Sequence, residues 1–379
     1  MIPLSTESPD TVFTRPAQSG PNSLRSAFID AGLPLADVNA AVPKARSPIQ
    51  RPAPSLVVLW RVHEACNLAC SFCAYDRRLR RSRRSATTDE VHAFSEVLAS
   101  WSRDTKREVL ISWLGGEPLL WPALTEASRH CASLGLSLSL TTNGTLLSRP
   151  EIQSLLHELY TEITISVDAP GETHDRLRGW PGGYAFLRRH VSQLAESIHT
   201  THVGPKLRAN AVIMQSTWKE FPRLCTELAS WGIQEISFNQ LGGNDRPEFY
   251  PTERLSAEDA IRFVEMIPSL RTQLAARGVR LVGGEAYLQR ILASSQNRRI
   301  PIADCGPGQR FLFIDEGGRV SPCSFTSDLL GVATNAVRSS SSLAQLSHVF
   351  RAARDRQRPL ACNDCLSTQV CQKFSFQSS

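Results

Sequence analysis

Residues 61–76 read RVHEACNLACSFCAYD and place Cys66, Cys70 and Cys73 within eight positions, directly after an apolar run (LVVLWRV, 56–62) suited to a buried strand. A structural zinc closes its tetrahedron with four protein ligands, usually from paired Cys-x2-Cys knuckles, and this loop has no fourth. A [4Fe-4S] cube held by three thiolates instead leaves one iron open to a substrate or cofactor. The spacing points to a cluster with a vacancy for chemistry, set at the end of the first strand.

Working outward, further short apolar runs follow: EVLISWLG, LSLSLTT, EITISVD, KLRANAVIM and IQEISFNQ. They alternate with amphipathic stretches such as TDEVHAFSEVLASWS, RPEIQSLLHELY and FLRRHVSQLAESI. Six β-then-α units predict an α/β fold with a parallel sheet and helices on its outside face, either an open doubly wound sheet or a partial barrel. In both, active sites gather at the C-terminal ends of the strands. Residues 1–54, rich in Pro, Ser and Ala, are expected to be a mobile N-terminal segment. The barrel is expected over 55–285 and a second, small cysteine-rich domain over 299–379, where five further Cys arrive among Gly, Pro and Ser.

At 379 residues the chain suggests two or three units. Its 42 Lys+Arg against 36 Asp+Glu give +6, with much of the excess in DRRLRRSRRS (76–85), so nucleic acid is not an expected partner. No window approaches the ~18 apolar residues of a membrane span and no export signal is evident, so a soluble, cytoplasmic protein is expected. Its ten Cys should then stay reduced, favouring metal or redox chemistry over disulfides. Cys131 and Cys225 sit in apolar helical patterns and read as core packing.

The triplet Cys66, Cys70, Phe72, Cys73 resembles the Cys-x3-Cys-x-aromatic-Cys hallmark of the radical S-adenosylmethionine (SAM) superfamily. GGEPLL (115–120) is similar to that family's Gly-Gly-Glu-Pro motif, TTNG (141–144) closes the third strand and ISVDAP (165–170) the fourth. The resemblance, spanning roughly 55–240, implies a partial (β/α)6 barrel with a [4Fe-4S] cluster on Cys66, Cys70 and Cys73. It implies SAM contacts at Phe72, Gly115, Gly116, Glu117, Pro118, Asn143, Ser166, Asp168 and Asn210. Glycine suits the 115–116 site because a side chain would block close backbone approach. Asp168 and Asn143 have an alternative reading as helix caps. In the family mechanism, a reduced cluster cleaves SAM to methionine and a 5′-deoxyadenosyl radical that takes a hydrogen atom from substrate. The electron would come from a donor such as flavodoxin or ferredoxin.

Near the C-terminus, Cys305 and Cys323 flank an apparent hairpin with Gly318 between them, and CNDCLSTQVC adds Cys362, Cys365 and Cys371. This spacing resembles the auxiliary-cluster extension called SPASM, or its shorter relative, the twitch domain. The next Cys of the full pattern falls on Ser375. One auxiliary [4Fe-4S] cluster is expected, on Cys305, Cys323, Cys362 and Cys365, with Cys371 spare or a substitute ligand; the alternatives are a structural zinc on the same thiols and a truncated two-cluster domain in which water or another residue completes a site. An electron-accepting cluster tilts the chemistry toward net oxidation. The expected function is oxidative cross-linking or dehydrogenation of a ribosomally made peptide, with a small-molecule substrate or an electron-carrying scaffold as alternatives. The six arginines at 77, 78, 80, 81, 83 and 84 read either as a binding surface for an acidic substrate or as a solvated loop. His174, Asp175 and Arg178 read as mouth-lining or helix-starting, and no catalytic acid or base is assigned.

Overall fold

The computed structural model describes residues 55–365 apart from 244, together with residue 367. The expected N-terminal segment 1–54 and Cys371 lie outside the described residues. Strand β1 (Leu56–His63) leads through the cysteine loop to α1 (Thr88–Thr105). The units β2 (Val109–Gly115) and α2 (Leu124–Ser133), then β3 (Ser137–Thr142) and α3 (Pro150–Leu159), follow. Next come β4 (Glu162–Ser166) with α4 (Glu172–Arg178) and α5 (Gly183–Thr201), β5 (Lys206–Ile213) with α6 (Phe221–Ser230), and β6 (Glu235–Gln240). Helices α7 (Tyr250–Glu253) and α8 (Ala257–Ala275), the short β7 (Arg280–Leu281) and α9 (Glu285–Ser295) lead to the cysteine-rich tail. That tail holds β8 (Phe311–Ile314), β9 (Arg319–Ser321), α10 (Ser327–Leu330), β10 (Val332–Ala333) and α11 (Ser340–Arg356).

One sheet contains all of these strands, in the order β10-β9-β8-β1-β2-β3-β4-β5-β6-β7. Strands β1 to β6 are parallel and pair in sequence order, without the reversal that defines a doubly wound sheet. The partial-barrel alternative is the one adopted. Sequence reasoning missed β7, and it missed that β8 pairs in parallel with β1, from Val57 against Phe311 to Trp60 against Ile314. The sheet runs unbroken into the cysteine-rich tail.

Alternation along β1 sends Leu56, Val58, Trp60 and Val62 into the core. Trp60 meets Phe94 of α1 edge-on at 5.8 Å, an arrangement favoured by the ring quadrupoles. Phe238 of β6 does the same for α6 and α8, with Phe221 at 5.5 Å and Phe263 at 5.4 Å. Helix α1 begins with a Thr87/Glu90 capping box, which settles where the cysteine loop must end. Cys131 and Cys225 are fully buried in the apolar core, as their patterns suggested.

At the N-terminal end of the strands, buried Glu235 accepts from Lys206 at 2.6 Å and forms ion pairs with Arg208, at 2.7 Å, and Arg280. Burial works against its charge, but these cations outweigh it and hold the carboxyl at about 2. The opposite, C-terminal end is left for the cysteine loop.

Candidate functional site

The loop after β1 is held from three sides. From β2, Gly116 N–H donates to the His63 carbonyl at 2.7 Å and Glu117 N–H to that of Ala65 at 2.8 Å. A Cβ on Gly115 would lie 2.0 Å from the His63 carbonyl oxygen, and one on Gly116 2.3 Å from that of Ala65. These glycines were expected to allow a cofactor's close approach; in the structure their missing Cβ atoms admit the backbone that leads into Cys66. Pro118 starts the short 3-10 turn that follows.

Glu117 is wholly buried. Its carboxylate accepts from Asn143 N–H at 2.7 Å, Thr142 Oγ1 at 2.8 Å and Leu119 N–H at 3.0 Å, tying the ends of β2 and β3 together. Burial lifts this carboxyl to about 7 against those hydrogen bonds. Asn143 carries the link onward: its Nδ2 donates to Asn67 Oδ1 at 2.9 Å and lies 3.7 Å from Cys66 Sγ, while its Oδ1 accepts from Thr145. TTNG therefore reaches the cysteine loop itself.

From the other side comes α4. Ala69 N–H donates to the Arg178 carbonyl and Ser71 N–H to that of Leu177, both at 3.2 Å. Gly179 ends the helix at φ 61°, where its missing Cβ makes room for Ala69. The Arg178 side chain is buried, donates from Nε to Asp168 Oδ2 at 2.6 Å and lies 5.4 Å from the Phe72 ring centroid. Asp168 Oδ1 accepts from Val212 N–H at 3.0 Å. Both carboxylate oxygens of Asp168 are thus engaged inside the protein. His174, also buried, is lowered to about 4, first by desolvation and then by the Arg178 charge. Asp175 caps α5 by accepting from Gly182 and Tyr184 N–H, both at 2.7 Å. Phe72 packs with Leu177, Met214 and Leu241 in a small apolar cluster. Ser166, Asn210 and Ser237 stand in register across β4, β5 and β6, with Asn210 Oδ1 accepting from Ser237 at 2.8 Å.

The third side is the arginine run, which doubles back along β1 through Glu64 N–H to the Arg84 carbonyl and Ala86 N–H to that of Val62. Asp76, buried and held at about 2 chiefly by its hydrogen bonds from Arg78, also pairs with Arg246 at 3.2 Å. Arg81 reaches Glu64 at 3.3 Å, Arg83 donates to the Asp76 carbonyl at 2.7 Å, and Arg84 pairs with Glu316. Four of the six arginines are spent on fastening the loop, which neither reading from the sequence foresaw. Glu316, from the turn between β8 and β9, is the site residue that sequence reasoning missed.

Of the tail cysteines, Cys323, Cys362 and Cys365 are half-buried and Cys305 is exposed. Each of Cys305, Cys323 and Cys365 feels the charge of other members of the set. Cys305, Cys323 and Cys365 thus lie within electrostatic reach of one another or of Cys362, although 60 residues separate the first from the last. Cys66, Cys70 and Cys73 are coupled in the same way, and burial pushes Cys70 to about 12 and Cys73 to about 11. Arg178 opposes that rise in both. Tyr75 N–H donates to Cys73 Sγ at 3.3 Å.

These donor sets fit iron–sulfur clusters. Thiolates without imidazole or carboxylate suit soft metals and clusters. Among the described residues, no group of three or more His, Cys, Asp or Glu side chains is arranged to hold a single metal ion, whereas a cube takes each thiolate on a different iron. Ligation requires thiolates, so loading the site must release protons.

Residues 60–207 match the family model described as the Radical SAM superfamily. The chain carries a radical SAM domain. Over its length it is 26% identical across 335 residues to the AdoMet-dependent heme synthase of Methanosarcina barkeri, covering 84% of this chain and 90% of that protein. It is also 26% identical across 339 residues to the PqqA peptide cyclase of Rhodopseudomonas palustris, covering 85% and 83%. Among solved structures it shares its fold with SuiB of Streptococcus suis at 18% identity. With S-adenosylmethionine bound, SuiB gives a TM-score of 0.54, covering 72% of this chain and 60% of that one. With precursor peptide SuiA bound, it gives 0.57, covering 83% and 70%. Among the described residues no helix is long and apolar enough to cross a membrane.

Proposed function

We propose that residues 55–285 of this radical SAM protein bind a [4Fe-4S] cluster through Cys66, Cys70 and Cys73. Residues 299–379 would hold one auxiliary [4Fe-4S] cluster through Cys305, Cys323, Cys362 and Cys365. The carrying observation is the three-thiol loop, fastened from β2, α4 and the arginine run, with no fourth thiol in it. With SAM bound and the cluster reduced, the site would supply a carbon-centred oxidant able to take a hydrogen atom from an unactivated position. An electron donor of flavodoxin or ferredoxin type is part of this reading.

The chain's own residues do the positioning. Glu117 and Asn143 lock the β2 and β3 ends against the loop so that Cys66 cannot drift. Asp168 orients Arg178, whose buried charge opposes the rise in all three thiols and so favours their deprotonated, metal-binding form. Phe72 and its apolar neighbours exclude water from that side. Ser166 and Asn210, on one polar rung at the strand ends, are the proposed donors to the polar parts of SAM, and the backbone of Gly115–Pro118 is proposed as a further contact.

The reaction proposed is oxidative modification of a ribosomally made peptide, by cross-linking or dehydrogenation. It is supported by the similarity to a PqqA peptide cyclase over 85% of the chain and by the four-thiol tail. The similarity to an AdoMet-dependent heme synthase over 84% favours a second reading, a small-molecule substrate. Anaerobic, reconstituted protein should be offered a short peptide encoded beside its gene and, separately, an iron porphyrin carrying propionates. Mass spectrometry should find two hydrogens lost from the peptide per 5′-deoxyadenosine formed. Turnover of the porphyrin alone would replace the peptide reading with the second one.

A further inference from the structure

A buried cation stands beside the first auxiliary cysteine. Arg354 of α11 is 6% exposed and brings Nη1 to 3.6 Å from Cys305 Sγ. Its Nη2 donates to the carbonyls of Ile302, at 3.1 Å, and Ala303, so the guanidinium is fixed in place by backbone. The nearest carboxylate, Asp304, lies 3.8 Å from Nη1 but is half-exposed and shared with Arg351 at 3.0 Å. It screens the cation only in part. The buried Nε has no partner among the described residues. A guanidinium cannot shed its charge, and leaving one of its N–H groups unpaired in the interior is unfavourable because it loses its water without gaining an acceptor. The arrangement makes sense if the group faces an acceptor richer in negative charge than a neutral thiol.

We infer that Arg354 sets the reduction potential of the auxiliary cluster by donating to the Cys305 thiolate and favouring the cluster's reduced state. This rests on the proposed ligation of that cluster by Cys305. Hydrogen bonds to sulfur and nearby charge are the protein's means of moving such potentials. Reduction adds one negative charge, and a fixed cation in a low-dielectric setting stabilises the product more than the reactant. Arg354 is therefore a positioning and tuning residue that makes the cluster a better electron acceptor, and it need not touch the substrate.

The test uses full-length chain carrying Cys66→Ala, so that the auxiliary cluster alone is titrated by EPR-monitored potentiometry. To this background Arg354→Gln and Arg354→Lys are added, each with iron and sulfide counted. Arg354→Gln should keep about four irons and lower the midpoint so that the reduced-to-oxidised ratio at a given potential falls about tenfold, roughly 59 mV for one electron. Arg354→Lys, keeping charge without the planar fork, should fall between. An unchanged midpoint in Arg354→Gln with full iron overturns the inference. Loss of the iron in both variants also overturns it, because Arg354 would then be a clamp for the 302–305 loop. A Cys66→Ala parent without iron removes the auxiliary cluster itself, an outcome read before either Arg354 variant is made.

Discussion

Arg61 on β1 donates from Nε to Glu316 Oε2 at 2.5 Å, joining two positions 255 residues apart. The Glu316 side chain is fully buried, Arg61 is 22% exposed, and the second partner, Arg84, is 64% exposed. This pair pins the hairpin turn of the tail to the strand that carries the cysteine loop. Breaking a buried pair from one side leaves a charge poorly compensated, at a cost of about 3 kcal/mol, whereas an exposed partner contributes under about 1. Arg61→Gln should therefore destabilise the protein several times more than Arg84→Gln in denaturant unfolding. Equal losses would show that Glu316 relies on the exposed Arg84 as much as on Arg61, and would contradict this reading.

Gly116→Ala tests the link between β2 and the loop. The added Cβ would meet the Ala65 and Glu64 carbonyl oxygens at 2.3 and 2.6 Å, both of them backbone and unable to swing aside. The loop must shift, and about four irons should be lost per chain on reconstitution while the auxiliary site keeps its own. Full iron content in Gly116→Ala would show that the close approach is dispensable.

Glu235 gives the pH dependence. Its folded carboxyl sits at about 2 against an ordinary 4.5, so the folded state holds the proton less tightly than the unfolded one. The stabilisation is complete above about 4.5 and is lost as pH falls toward 2, amounting to about 3 kcal/mol. Glu235→Gln should be less stable than the parent at neutral pH, with the gap closing across that acidic window. A gap independent of pH would contradict the assignment.

Much of this was legible in the sequence because it lies in local pattern. The six parallel strands announce themselves as apolar runs, and the triplet Cys66, Cys70, Cys73 by its spacing. What sequence could not show is pairing across distance. Nothing near Glu316 marks it as the partner of Arg61, and the PheLeuPheIle run of β8 carries no sign that it will pair with β1. The arginine run was read by composition alone, which cannot tell a solvated loop from one whose guanidinium groups are consumed by Asp76, Glu64 and Glu316. Asp168 was expected to face a ligand on strand alternation, which ignores the Arg178 side chain arriving from the following helix. Cys371 and residues 1–54 lie outside the described residues.

The loop of Cys66, Cys70 and Cys73 is proposed to hold a cluster with one iron open to SAM. EPR spectra of anaerobically reconstituted, dithionite-reduced protein, recorded before and after adding SAM, test it most directly. One of two cluster signals should change on addition, 5′-deoxyadenosine should accumulate, and Cys66→Ala should abolish both effects while keeping the other signal. Fully iron-loaded protein whose signals ignore SAM, or a loop that takes up zinc in place of iron, would contradict it.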